Sequence, residues 1–224
     1  MTMPTALIIG ASRGIGREMV RQYLADGWRV IATARTNLQC AALTAMGAQA
    51  FPLDVNSAES VAALAWSMDG EQLDAAILVA GVYGPRHDGF PAVDEFDDVM
   101  HTNVLAAMRL LPLVAPMVAL GHGKLAVLSS RMGSIGARSA ANGSLYRASK
   151  AALNSVLKDA SIVFGPQGAT CVAFHPGWVQ TDMGGVGADI PVEHSVAGLR
   201  ATLAGLTAAD NGSFLNYDGT PIPW

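Results

Sequence analysis

Apolar residues along this chain recur in two rhythms. Short, nearly unbroken apolar runs at residues 5–10, 28–33, 50–55, 73–79, 124–130 and 169–174 have the length and β-branched content of strands covered on both faces. Between them apolar positions return at helical spacing: Met19, Val20, Tyr23 and Leu24; Val61, Leu64 and Ala65; a long stretch over 94–120; Ala151, Ala152, Leu153, Val156 and Leu157; and Val196, Leu199 and Leu203. Residues 212–217 read as a last edge strand. Strand and helix alternating in this way predict an α/β protein built on a parallel sheet. Local signals punctuate it. Gly27 closes the first helix, Asn56 with Glu59 resembles a capping box for the next, and Pro191 opens the last. Pro112 and Pro116 predict a kink or break in the later half of the long helix.

Composition narrows the class. The chain has 224 residues, 51% hydrophobic and only 14% charged, which suits one domain over 1–224 with a large core. A formal charge of −4 and the lack of a basic run argue against a nucleic-acid surface. Cys40 and Cys171 lie far apart without metal-like spacing. They imply no disulfide framework and suit a reducing, cytoplasmic setting. The five histidines do not pair as H-x-x-x-H, so no zinc site is expected. Residues 6–9 are of strand length rather than signal length. With no run of about 20 uninterrupted apolar residues, no membrane span is expected.

Two patterns carry chemistry. The first run ends in Gly10-Ala11-Ser12-Arg13-Gly14-Ile15-Gly16 and passes directly into a helical pattern. In a strand–loop–helix context such glycines let backbone approach a pyrophosphate, which the helix N-terminus favours electrostatically. The second run ends at Thr33-Ala34-Arg35. An acidic residue here would bond the ribose hydroxyl of NAD; instead, Arg35 with Arg13 suits a 2′-phosphate and favours NADP. Asp54 is read as orienting the turn after the third run. The second pattern is Tyr146 and Lys150, one helical turn apart, where an ammonium beside a phenol would lower its pKa and make it a usable proton donor. Ser129 and Ser130 end the fifth run, and hydroxyls at the carboxyl end of a strand face the ligand crevice. The short glycine- and serine-rich loop from there to Tyr146 can bring the groups together. Asn103 within the long helix and His175 at a turn read, on residue type alone, as ordinary packing or solvated positions.

Taken in register, these pieces resemble the short-chain dehydrogenase/reductase family, in its small single-domain members, with C-factor-like and sniffer-like carbonyl reductases nearest in flavour. Gly10, Gly14 and Gly16 match its cofactor loop, and Asp54-Val55 its adenine-side pair. Asn103, Ser130, Tyr146 and Lys150 match its catalytic tetrad, and Pro176-Gly177, with Val179 and Thr181, the turn beside the nicotinamide. The resemblance implies a Rossmann-type doubly wound parallel sheet of about seven strands with helices on both faces. It also implies hydride transfer between NADP(H) and a carbonyl/alcohol pair. Tyr146 would be the proton donor and Ser130 the substrate hydrogen-bond donor, with Ser129 still open as the active hydroxyl. Lys150 would hold the ribose, and Asn103 a relay water. Ala80 and Gly81 would leave room for the cofactor. Tyr83, Met132, Trp178 and Met183 fall on crevice loops and suggest an apolar, even aromatic, small-molecule substrate. The family also implies a homodimer or homotetramer. A catalytically quiet nucleotide sensor or signalling protein on the same fold is the alternative. Two departures stand out: Leu78-Val79-Ala80-Gly81 replaces the family's Asn-Asn-Ala-Gly, and Ile9 stands where threonine is common.

Overall fold

The computed structural model describes residues 3–86 and 89–224. Seven parallel strands form one sheet in the order β3-β2-β1-β4-β5-β6-β7. They are β1 (Thr5–Ile9), β2 (Arg29–Ala34), β3 (Gln49–Pro52), β4 (Ala75–Leu78), β5 (Lys124–Leu128), β6 (Thr170–His175) and β7 (Ser213–Asn216). The helices are α1 (Gly14–Ala25), α2 (Asn37–Ala45), α3 (Ala58–Ser67), α4 (Val93–Met100), α5 (Ala106–Leu120), α6 (Ser144–Phe164) and α7 (Val192–Gly205).

Both faces of the sheet are covered, which is why its strands read as apolar runs rather than alternations. In β1, Leu7 and Ile9 join a core with Val61 and Leu64 of α3, Leu110 and Val114 of α5, and Leu153 and Leu157 of α6. Ala6 and Ile8 point the other way, into a core with Met19 and Tyr23 of α1, Leu43 of α2, and Val196 and Leu199 of α7. Cys40 and Cys171 are buried, free thiols.

The structure differs from the sequence reading in four places. α2 is an additional helix; Thr36 caps it, with Gln39 completing a capping box. The cap of α3 is Ser57, whose hydroxyl accepts the Ser60 N–H at 3.1 Å, rather than Asn56. Strand β3 stops at Pro52, so Asp54 and Val55 lie in the turn beyond it. The long helix is interrupted not at its prolines but by a π-helical segment, His101–Leu105. α5 runs unbroken through Pro112 and Pro116. Both prolines, like Met108 and Leu120, lie on its exposed stripe, where water can solvate the carbonyls that lose their N–H partners. The whole helical run Val93–Leu120 is apolar enough to cross a membrane by length and composition. Here, however, Ala107, Leu110, Leu111, Val114 and Val118 are packed in the core.

Candidate active site

The carboxyl ends of β1, β2, β4, β5 and β6 open into a cleft of about 490 Å³. Its floor is the glycine loop. Gly10 has φ +91°, and a side chain there would lie 2.8 Å from the Ala80 nitrogen. A Cβ on Gly16 would lie 2.2 Å from the Gly10 carbonyl oxygen, so Gly16 lets the loop fold tightly under itself rather than lining the cleft. Thr33 anchors the loop, its hydroxyl accepting the Gly10 N–H at 3.1 Å and its carbonyl the Ala11 N–H at 2.8 Å. At the start of α1 the first backbone bond runs from Arg17 N–H to the Arg13 carbonyl. Arg13 supplies no side-chain cap. The preceding N–H groups therefore have no intrahelical acceptor and form the positive end of the helix dipole.

Ser12, Arg13, Gly14, Ile15, Arg35, Asp54, Val55, Ala80, Gly81, Tyr146, Lys150, Pro176 and Thr181 all line the cleft, as do Thr33, Asn56, Thr102 and Gln180, which sequence reasoning missed. Thr33 lies in β2 and Thr102 in the π-helical segment, while Asn56 and Gln180 sit in turns; nothing in their local pattern marks them, so only the fold reveals these four. Asp54 accepts the Asn56 N–H at 3.0 Å and orients its turn. Arg13 is paired with Asp182 at 2.8 Å, both side chains largely exposed at the cleft lip. Gly177 and Val179 do not line the cleft. Gly177, at φ +88°, turns against Ile190 and Tyr217, while buried Val179 bridges to Ile190.

At the other end of the cleft, α6 presents Tyr146 and Lys150 on one face, and both are buried. Lys150 Nζ donates to the Leu128 carbonyl at 2.8 Å and lies 5.7 Å from the Tyr146 ring centroid. Burial lowers the Lys150 pKa to about 8. The Tyr146 phenol goes up to about 12, chiefly through burial and also through Tyr83; an interaction with the Ser130 hydroxyl works in the opposite direction. This corrects the expectation of a phenol depressed by lysine: the ammonium is drawn to a strand carbonyl, and Tyr146 holds its proton at neutral pH. Ser130 Oγ also accepts the Met132 N–H at 3.2 Å. Ser129 contributes to the cleft lining and Ser130 does not, but Ser129 Oγ turns into the packing beneath α6, hydrogen-bonded to Asn154, while Ser130 interacts with the Tyr146 phenol. The hydroxyl beside the phenol is therefore that of Ser130.

Asn103 sits in the π-helical segment and is almost wholly buried. Its amide donates to the Val82 carbonyl at 2.8 Å and to Ser149 Oγ at 2.9 Å, and its Oδ1 accepts the Val82 N–H at 2.8 Å. It thus ties the loop after β4 to α6. An ideal Cβ on Gly81 would lie 3.2 Å from both Asn103 Oδ1 and Lys150 Nζ, so a side chain there would press on both groups and narrow this corner. Among the expected substrate contacts, Tyr83 stacks on Tyr146 with centroids 4.6 Å apart. Met132 and the Tyr83 hydroxyl flank Gly143, at the start of α6, and Met183 lines the cleft. Tyr83, Met132 and Trp178 are not in its lining: the first two sit beside Tyr146 and Gly143, and the Trp178 indole N–H is bonded to the Gly184 carbonyl within its own loop.

An open helix N-terminus beside a glycine loop, a cleft ending at a phenol, and two arginines at the far end fit a phosphorylated dinucleotide. The arrangement is that of a dinucleotide-dependent oxidoreductase. The short chain dehydrogenase family model matches residues 4–188, and the chain belongs to that family. Among curated relatives, the 1-hydroxy-2-glutathionyl-2-methyl-3-butene dehydrogenase of Rhodococcus is 35% identical over 99% of this chain and 100% of its own length. The C-signal of Myxococcus xanthus is 40% identical over 54% of this chain and 74% of its own. Among solved structures, the carbonyl reductase Sniffer of Drosophila melanogaster superposes with a TM-score of 0.90 at 28% identity, covering 100% of both chains. A carbonyl reductase of Pseudomonas aeruginosa in complex with NADP gives 0.85 at 32%, also over 100% of both.

Proposed function

We propose that the protein is a carbonyl reductase that uses NADPH in preference to NADH and acts on a small apolar carbonyl compound. The observation that carries this reading is the grouping of Tyr146, Ser130 and Lys150 at the end of a cleft floored by a glycine loop. Bound NADP(H) would supply or accept the hydride. The open N–H groups of α1, with Ser12, Gly14 and Ile15, would hold its pyrophosphate, and Arg13 and Arg35 its 2′-phosphate.

The chain's own groups then do the rest. Ser130 donates a hydrogen bond to the carbonyl oxygen, where negative charge grows. Tyr146 transfers its proton to the nascent alkoxide, a far stronger base than a phenolate, and takes it back in the reverse direction. Lys150, protonated below about pH 8, holds the ribose and places a positive charge near the phenol as it loses its proton. Asn103 positions the Val82 loop against α6, and its carbonyl oxygen faces the same corner as Lys150 Nζ, suited to a relay water. Met183 in the cleft lining, with Tyr83 stacked beside the phenol and Met132 next to it at Gly143, would give the substrate apolar surroundings.

The likeness to C-signal supports a second reading, a signalling protein in which turnover is incidental. All four tetrad positions are filled and grouped, which favours the enzyme. NADPH oxidation measured at 340 nm against aldehydes, ketones and diketones, with Kd values for NADPH and NADH, tests the proposal. Turnover with NADPH binding tighter than NADH supports it; nucleotide binding with no turnover on any carbonyl would favour the signalling reading. We further propose a cytoplasmic homodimer or homotetramer, since buried free cysteines suit a reducing compartment. Met108, Ile162 and Val163 leave apolar side chains exposed on α5 and α6.

A further inference from the structure

The segment that follows β6 is held from both ends of the cleft. Its base is closed: Val179 bridges to Ile190, the Gln180 N–H donates to the Ile190 carbonyl at 2.9 Å, and the Ile190 N–H donates to the Trp178 carbonyl at 3.1 Å. The next three residues each meet a different partner. Thr181 packs on the glycine loop so closely that a Cβ on Gly14 would lie 3.2 Å from its Cγ2. Asp182 pairs with Arg13 at 2.8 Å. The Met183 carbonyl accepts from Arg86 at 2.7 Å, and that guanidinium lies 4.7 Å from the ring centroid of Tyr83, which stacks on Tyr146. Thr181, Asp182 and Met183 all line the cleft. They span it from the phosphate-binding loop to the phenol.

The two arginines assigned to the 2′-phosphate therefore stand differently. Arg35 is exposed and forms no ion pair among the described residues. Arg13 already carries a carboxylate, brought to it from 169 residues away. With both side chains largely exposed, this pair is weak and exchangeable. A phosphate monoester near neutral pH bears more charge than a carboxylate and offers a guanidinium more acceptor oxygens, so it takes the arginine from Asp182. A dinucleotide without that phosphate leaves the pair as it is. We propose that Asp182 is a specificity-determining residue: it competes with the 2′-phosphate for Arg13 and so lowers the affinity for NADP(H) but not for NAD(H). It acts through Arg13, as a positioning residue. The inference rests on the assignment of Arg13 to the 2′-phosphate and extends it to the group that holds this arginine beforehand.

The test is the Kd of NADPH and of NADH, by fluorescence titration, for the wild type, D182N, R13Q and R13Q/D182N. Asp182 and Arg13 are both exposed, so folding is expected to be unaffected. D182N should bind NADPH about threefold more tightly, the scale of an exposed ion pair, with its NADH Kd unchanged. Without Arg13 there is nothing to compete for, so R13Q and R13Q/D182N should bind NADPH alike. Both should bind it about threefold more weakly than the wild type: about tenfold for the lost charge-assisted contact, offset by about threefold for the competition removed. Weaker NADPH binding in R13Q without tighter binding in D182N would overturn this inference and leave the 2′-phosphate assignment standing. A gain that persists in R13Q/D182N would make the effect direct repulsion rather than competition and overturn it. Equal changes for NADPH and NADH in D182N would assign Asp182 to building the loop and overturn it too. Unchanged NADPH affinity in R13Q would overturn both this inference and the assignment of Arg13.

Discussion

Replacing Lys150 with methionine should make the protein more stable while removing its activity. The lysine is buried, and burial lowers its pKa from 10.5 to about 8. At pH 7 it is charged in both folded and unfolded states, and the folded state bears the desolvation penalty. A depression of that size corresponds to about 3 kcal/mol. Against this, methionine leaves the Leu128 carbonyl without the donor now 2.8 Å away, a loss of about 1 kcal/mol. The net expectation is a gain of about 2 kcal/mol for Lys150→Met at pH 7. The pH dependence fixes the cause. Between about 8 and 10.5 the unfolded chain binds more protons at this site than the folded one, so wild-type stability rises with pH through that window and the gap to the variant closes. Urea unfolding at pH 7 and pH 10, read by tryptophan fluorescence, measures both. A variant less stable than wild type at pH 7, by an amount independent of pH, would refute the reasoning.

Other consequences are as direct. Carbonyl reduction should fall with pH above about 8, as Lys150 loses its proton; a profile flat to pH 9.5 would contradict the lysine's role. Ser130→Ala should lower kcat by roughly a hundredfold or more, as loss of an oxyanion donor does. Ser129→Ala should keep turnover and lose about 1–2 kcal/mol of stability through its Asn154 partner, whose Nδ2 is already unpaired; steady-state kinetics and urea unfolding distinguish the two serines. Arg35→Ser should raise the NADPH Kd about tenfold, the loss of one charge-assisted contact, and leave the NADH Kd nearly unchanged in a fluorescence titration.

The parts of the site legible in the sequence are those whose chemistry depends on local spacing. The glycine loop, the Tyr146–Lys150 turn and the arginine after β2 each sit within one element or its immediate exit, so periodicity and residue type were enough. Asn103 was not legible from its residue type, because a buried asparagine in a π-helical segment gains its meaning from Val82 and Ser149, distant in sequence. The choice between Ser129 and Ser130 depended on which of two adjacent side chains faces α6, a matter of packing. Helix α2 was passed over although Thr36 and Gln39 spell its capping box, since its exposed face dilutes the apolar rhythm. Pro112 and Pro116 misled because the rule against helical proline weakens where the freed carbonyls face water. The raised Tyr146 pKa follows from burial and from where Lys150 Nζ points, neither of which a four-residue spacing contains.

The central claim is that one buried phenol delivers the proton. Tyr146→Phe keeps the ring stacked on Tyr83 and removes only the hydroxyl. On a carbonyl that the wild type reduces, this variant should lose turnover by a thousandfold or so while its NADPH Kd stays within about twofold. Turnover near the wild-type rate with NADPH still bound would contradict the account.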